Sequence, residues 1–551
     1  MMNRPYNRGW RRLCLACLSG LILLAGCSPR NYKQDADQKV YGIIDQKWDP
    51  QFGARTNYRI SDVTPDPNAI QIENAVPTSG ILTLPRALTL PRAMALATAH
   101  NREYQTRKEL LYTSALDLRL VRHGYENLLF GGGSALYLKD NKGEAIQTEA
   151  NVGFNRLLAA GTQVSTQIAA GWLDVITGKG DTGLFSIFSA AISQPLLRGS
   201  DPMIVLEALT QAERNTLYEI RTFNRFRKTF AVAVASEYFR ALQSYDVVRS
   251  TQDYHDALVV LHGKVLKLVG VGLLPKFEAD QIHQEILKAS DNLIVAIKEY
   301  QQAIDRFKIT LALPVTTEFR LDVGLLDALR ERGIPYPQVV VDDAIETALM
   351  GRLDVANSAD AVLDAQRAVH VAADSLRADL RVTGSVDLKS KGRHNVAAGP
   401  TLDLPLDRVA EQTIYRKAFI ALEERRRDYD QLTDQIRLEV RSAYRKLVEA
   451  AGRYQVLADA REVALMRIRQ TSELLRSARV SSRRVLNAEQ DLYEARNKAT
   501  EALVDYGVTT LEFYRDTDVL QVRPDGLWQA DGLDIPVARN GLPEVETKPI
   551  E

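Results

Sequence analysis

The feature that most constrains this chain is a layout that occurs twice: a helix, a strand pair, a very long helix and a shorter returning helix. In the first half, the helical and strand patterns follow one another at 84–121, 130–194, about 200–268 and 276–312. In the second half, the same order occupies 342–376, 381–404, 407–477 and 481–516. Within the long segments apolar residues recur at spacings of three and four, the period of an amphipathic helix. At about 1.5 Å per residue, each long helix would reach near 100 Å.

Short segments also match between the halves. VASEYFRAL (234–242) parallels VRSAYRKL (440–447), and ISQPLLRGS (192–200) parallels LDLPLDRVA (402–410). Generic coiled-coil similarity would not place strand pairs at matching points, so we interpret the chain as a tandem repeat. The predicted organisation is a signal segment (1–27), a tether (28–84), a first repeat (85–313), a connector (314–341), a second repeat (342–516) and a loose tail (517–551).

The strands of the second half have two different faces. In RVTGSVDLK (381–389), Val382, Val386 and Leu388 alternate with polar residues. NVAAGPTLDL (395–404) alternates in the same way, with Val396 and Leu402 on its apolar side. Strict alternation places such residues on opposite faces of a strand, and each face therefore requires a different environment.

Lipid on one side and water on the other would satisfy both faces. No stretch after residue 27 has the eighteen or more apolar residues of a membrane-spanning helix, whereas these strands have about the 9 to 11 residues of a spanning strand. With one strand pair in each repeat we expect four strands per chain, too few to close a barrel without leaving edges unpaired. Two copies would give eight strands and three copies twelve. A conducting pore favours three, because eight-stranded barrels fill their interior with side chains. The alternative is a small soluble sheet that caps a helical bundle.

The first 27 residues resemble a bacterial lipoprotein export signal. All three cysteines, Cys14, Cys17 and Cys27, lie there, so the rest of the chain has no disulfide or thiolate metal site. A basic start and an apolar stretch at 13–24 form a signal that ends in Leu-Ala-Gly-Cys, which resembles the lipobox. This resemblance implies lipid on Cys27. We expect no cofactor besides that covalent lipid. The alternative is a plain signal peptide with an incidental cysteine.

Catalysis and nucleic-acid binding find little support. Lys plus Arg and Asp plus Glu are both 70, so net charge indicates no nucleic acid. HQEIL (283–287) lacks the second His of a zinc-protease motif, and TGKGDTG (177–183) departs from the P-loop pattern. GGGS (131–134) reads as a turn or loop. We expect no catalytic residue, no metal site and no enzymatic activity.

The layout is duplicated, QPLLRGSD follows the first strands, LPLDRVAE follows the second, and VLNAEQDL lies near the second helix turn. Together these features resemble the TolC-like outer-membrane efflux proteins. With the lipobox, the resemblance is to the lipoprotein branch and covers roughly 84–518. It implies a mainly α-helical chain with a membrane β-barrel, a homotrimer with twelve strands and a helical tunnel. It also implies outer-membrane localisation and docking to a periplasmic adaptor and an inner-membrane transporter, as a passive conduit for efflux. The alternative is a lipid-anchored helical spacer or adaptor protein of the periplasm without a channel.

The turns at 263–275 and 472–484 would be the periplasmic tips of that tunnel. The second departs from the common family pattern, because Ala478, Arg484 and Asn487 stand where Gly and two Asp are frequent. The tip residues that the resemblance predicts are Arg476, Arg479, Arg483, Arg484 and Asn487. They predict either a cationic or weakly selective mouth, or contacts of these arginines with the adaptor or solvent.

Overall fold

The structure is a computed structural model of the chain. It describes residues 29–55, 57–60, 76–78, 81–83, 87–140, 143–178, 183–334, 337–389, 393–404, 406–476 and 479–523.

Helices make up most of the described chain. In chain order they are α1 (Pro29–Lys47), α2 (Leu90–His100), α3 (Arg102–His123), α4 (Pro202–Val205), α5 (Glu207–Gly270), α6 (Lys276–Thr310), α7 (Gly324–Arg332), α8 (Val341–Gly351), α9 (Leu353–Asp374), α10 (Val409–Arg476) and α11 (Ser482–Asp516). The two very long helices and their returning partners are therefore confirmed as α5, α6, α10 and α11. A further 3-10 turn lies at Pro50–Phe52.

The helix that opens each repeat is broken at one residue. Asn101, between α2 and α3, has extended backbone angles, and its side-chain oxygen accepts a hydrogen bond from the Tyr104 amide at 3.0 Å. Arg352 interrupts α8 and α9 in the same way, with a φ of −66° and a ψ of 123°. A single extended residue redirects the chain while each neighbouring helix keeps its apolar face, so the periodicity alone does not reveal the break. The two breaks lie at corresponding points of the repeats.

The strands of the described residues form two separate antiparallel sheets. They are β1 (Val76–Thr78), β2 (Ile81–Thr83), β3 (Leu128–Asp140), β4 (Gly143–Leu157), β5 (Gln163–Gly178), β6 (Gly183–Pro195), β7 (Asp379–Lys389) and β8 (Arg393–Asp403). β1 and β2 form a two-stranded sheet of their own, whereas β3 to β8 form one six-stranded sheet in sequence order.

The expectation of four strands per chain was wrong, because six strands share the large sheet. The first repeat contributes β3 to β6 and the second contributes only β7 and β8. The interpretation of residues 131–134 as a turn or loop was also wrong, since they lie within β3. Three successive glycines, Gly131 to Gly133, have no side chains to display the alternation by which a strand is recognised.

The described residues divide into two compact units that do not coincide with the repeats. One unit takes in the chain up to Trp48, Leu110–Ile220 and Arg367–Lys417, and it contains the six-stranded sheet. The other takes in Asp49–Glu109, Arg221–Gln366 and the chain from Ala418 onward. Each unit therefore combines parts of both repeats, and the ends of α6 and α11 near the two helix turns lie in the second.

Candidate functional site: the two-faced sheet and the helix turns

The six-stranded sheet exposes one nearly continuous apolar face. Its strand register places thirteen large exposed side chains on that face, with relative exposures between 38% for Phe188 and 82% for Leu129. We call this set the apolar face: Leu129, Tyr137, Ile146, Val152, Ile168, Trp172, Leu184, Phe188, Ile192, Val382, Leu388, Val396 and Leu402. Soluble monomers rarely expose apolar patches of this extent, so this face needs a cover of lipid or protein.

The opposite face carries mainly polar and charged side chains, and we call it the polar face. Across β4 to β8 it includes Gln147, Glu149, Asn151, Asn155, Gln163, Ser165, Gln167, Ser189, Ser193, Thr383, Ser385, Asp387, Asn395 and Thr401. At one end Arg381 Nε donates to Asp379 Oδ1 at 2.8 Å. The register pairs Val382 with Pro400 and Val386 with Val396, so the two faces predicted for β7 and β8 are confirmed.

Large apolar residues also occur on the polar face, mostly on β3 and β6. Phe130 lies across Gly153 of β4, where an added Cβ would come within 2.5 Å of the ring. Phe185 covers Gly171 of β5 in the same manner. Such aromatic–glycine pairs across neighbouring strands fill the space left by the missing side chain. Sequence analysis missed them because the partners become neighbours only through the strand register.

The sheet is curved. One cavity of about 640 Å³ is lined by residues from each of its six strands, from Leu128 on β3 to Ala397 on β8. A flat sheet could not supply one cavity from all six of its strands, so the strands bend around a common space.

The turns that join the long helices form the second candidate site. Between α5 and α6 the chain turns at 271–275, where Gly272 has a φ of +77°. Between α10 and α11 it turns at 477–481, of which the structure describes 479–481. A core of buried residues from all four helices, including Val265, Ile282 and Val485, packs behind these turns.

A partly buried contact ties the two turns together. Oε2 of Glu278, in the first turn of α6, accepts hydrogen bonds from the Ser482 amide at 3.0 Å and from its hydroxyl at 2.6 Å. Ser482 is the first residue of α11 and is only 1% exposed. Since α11 has no acidic residue in its first turn, Glu278 supplies from another helix the negative charge that a helix N-terminus favours. Nothing in the sequence pattern indicated this contact.

The predicted tip residues are found on and beside the second turn. Arg479 lies in the turn, Arg483 and Arg484 lie in the first turn of α11, and Asn487 follows one turn later; all four are exposed. Arg476 is the last residue of α10, and its side chain lies outside the described part of the chain. Within the described residues, Arg479, Arg483 and Arg484 take part in no ion pair. Two cations at a helix N-terminus oppose the helix dipole, so helix stability does not explain them.

Three other predicted features are the lipidated cysteine, the absence of a metal site and the absence of a membrane-spanning helix. Cys27 lies outside the described residues. Among the residues that the structure describes, no cluster of potential metal ligands occurs. Over the same residues, no helix combines the length and hydrophobicity required to cross a membrane.

Comparison with known proteins gives matches of structure only. No family model matches the chain, and no curated protein matches it either. The outer-membrane protein VceC of Vibrio cholerae is 13% identical with a TM-score of 0.56, over 78% of this chain and 95% of VceC. The MtrE outer-membrane channel of Neisseria gonorrhoeae is 14% identical with a TM-score of 0.57, over 78% of this chain and 88% of MtrE.

The CmeC outer-membrane channel of Campylobacter jejuni is 13% identical with a TM-score of 0.56, and the match covers 81% of this chain and 87% of CmeC. Matches that cover most of both chains include the helices and the sheet together. This chain therefore has the fold of the TolC-like outer-membrane efflux channels.

Proposed function

We propose that this chain is the channel subunit of an outer-membrane efflux system, assembled as a homotrimer. It provides a passive conduit from the periplasm to the exterior, and it works with a periplasmic adaptor and an inner-membrane transporter. It is not an enzyme. Lipid on Cys27 anchors its N-terminus in the outer membrane.

The two-faced sheet is the observation that carries this proposal. Its apolar face exposes residues such as Leu129 and Val396, at 82% and 63%, and its polar face is lined by amides, hydroxyls and charges. An outward apolar band with a polar interior is the arrangement of membrane barrels. Tyr137 lies near the end of β3, and Trp172 pairs with Leu184 at the start of β6. Both positions fit the aromatic girdle found at membrane interfaces.

Neighbouring residues of β8 offer a matched test of this arrangement. Val396 lies on the apolar face and Asn395 on the polar face, and both are exposed. An arginine that faces lipid at the bilayer midplane costs about 2–4 kcal/mol, whereas one that faces water costs little. We therefore expect Val396→Arg to reduce the yield of heat-modifiable oligomer in the outer membrane, and Asn395→Arg to leave that yield unchanged.

Equal tolerance of both substitutions would contradict the lipid-facing assignment. Purified trimers should also conduct ions in planar bilayers. A non-conducting monomer, released into solution once its acyl groups are removed, would instead identify the chain as a lipid-anchored periplasmic spacer or adaptor.

The helix turns are the proposed docking and entry region. The exposed Arg479, Arg483 and Arg484 would either form a cationic mouth or contact the adaptor. The lipid anchor is tested separately, because Cys27→Ser should abolish incorporation of radiolabelled palmitate while the sheet remains intact.

A further inference from the structure

We propose that each copy contributes six strands to the barrel, so that β8 of one copy pairs antiparallel with β3 of the next and three copies close an eighteen-stranded pore. This inference rests on the proposed channel function. It concerns how the copies join and how wide the pore is.

The six-stranded sheet has two edges that no described strand covers. β3 pairs only with β4 and β8 only with β7 among the residues that the structure describes. An edge strand offers a row of backbone N–H and C=O groups, and in hydrocarbon each of these needs a partner. A second copy of the chain carries the complementary edge.

The directions of the strands permit this closure. Every neighbouring pair from β3 to β8 is antiparallel, so β3 and β8 run in opposite directions. Placing β8 of one copy beside β3 of the next therefore continues the antiparallel order. Both edge strands also present apolar residues on the same face, with Leu129 on β3 and Leu402 on β8.

The first hairpin, β3 with β4, is an integral part of the sheet. β4 pairs with β5 from Gly143↔Gly178 to Leu157↔Gln163, which covers the full length of β5. At Gly153 the two backbones approach so closely that an added Cβ would clash with the carbonyl oxygen of Thr166. β5 therefore has no free edge, and four strands per copy could close a barrel only if this hairpin separated from β5.

Six strands per copy make a wider pore than four. Barrel diameter grows roughly linearly with strand number, so eighteen strands give about 1.5 times the diameter of twelve. Barrels of 16–18 strands hold an aqueous channel. Apolar residues on the polar face of β3, such as Phe130 and Leu136, would line part of that channel and distinguish it from a uniformly polar lumen.

Cysteine cross-linking in outer membranes distinguishes the two closures, because the proposed mature chain has no cysteine except the lipidated Cys27. Barrel closure staggers the strands, so the register between copies has to be scanned. Cysteines replace polar-face residues of β3 (Phe130, Gly132 and Ser134), each combined in turn with β8 positions (Asn395, Ala397, Gly399 and Thr401). Treatment with a short bis-methanethiosulfonate then joins neighbouring copies. The matched control places the first cysteine on β5 instead, at Ser165 or Gln167.

We expect cross-linked bands up to three chains from β3–β8 pairs, and none from β5–β8 pairs. Cross-linking from β5 to β8 would overturn the proposal in favour of four strands per copy, and a ladder that ends at two chains would overturn the count of eighteen. Absence of cross-links in every combination would also overturn it. Planar-bilayer conductance of channels from the same membranes tests the channel function separately. Loss of conductance would contradict the proposed channel, whereas the cross-linking pattern tests only the number of strands per copy.

Discussion

Replacing Glu278 by alanine should loosen the helix turns without unfolding the chain. The change removes two hydrogen bonds to a carboxylate, at 3.0 and 2.6 Å, and leaves the buried Ser482 without its acceptor. Hydrogen bonds to charged groups contribute about 1.5–3 kcal/mol, and an unsatisfied buried group costs about 1–3 kcal/mol. Because Glu278 is half-buried and water can replace part of what is lost, we expect local destabilisation of about 2 kcal/mol.

Hydrogen exchange measures this local effect. Since each 1.4 kcal/mol is a factor of ten, amides of Ser482 to Leu486 should exchange roughly 30-fold faster in Glu278→Ala when local opening governs exchange. Glu278→Gln keeps an acceptor and should give a smaller increase. Asp280→Ala, at an exposed acidic residue two positions along the same helix, is the matched control and should change little. Unaltered exchange at Ser482 in Glu278→Ala would refute the capping role.

Four further predictions concern charges elsewhere. Arg352 is 4% exposed in its side chain and pairs with Asp354 at 2.7 Å and Glu439 at 2.8 Å. Because both carboxylates are partly exposed and Asp354 also pairs with Arg225, we expect Arg352→Ala to lower the free energy of unfolding by about 1.5–3 kcal/mol in thermal unfolding; a loss below about 0.5 kcal/mol would contradict this. Burial raises the pKa of Asp354, but hydrogen bonding and charge from Arg352 and Arg225 outweigh burial and hold the pKa below its ordinary value. The stabilisation that ionised Asp354 gives the folded chain should therefore persist above about pH 4 and decrease as pH falls through the lowered pKa, and Asp354→Asn should remove this dependence from the melting temperature. Burial lowers the pKa of Lys108 to about 8, so between about pH 8 and 10 the unfolded chain binds more protons than the folded chain. The melting temperature should therefore rise with pH over this range, and this rise should be absent in Lys108→Met. If the exposed arginines form a cationic mouth, Arg484→Asp should shift reversal potentials of trimers in planar bilayers toward cation preference; a clear cation preference of the wild type that this change does not alter would exclude that mouth.

Sequence analysis was most successful where a local period is uninterrupted. The faces of β7 and β8 were predicted because Val382, Val386 and Val396 alternate strictly with polar residues, and this alternation is a local property of an extended chain. The long helices were likewise predicted from spacings of three and four. The strand count failed at β3, since Gly131 to Gly133 carry no side chains from which alternation could be read.

The sequence by itself determined the order of the elements, the two-faced character of the second strand pair and the duplication of the layout. Only the tertiary structure decided that a further hairpin joins the sheet, that Phe130 lies across Gly153, and that Glu278 caps a helix 204 residues away at Ser482. The physical reason is that periodicity is set by neighbouring side chains on one element. Strand pairing and capping between helices depend instead on backbone groups, which every residue carries and which acquire their partners only when distant segments meet.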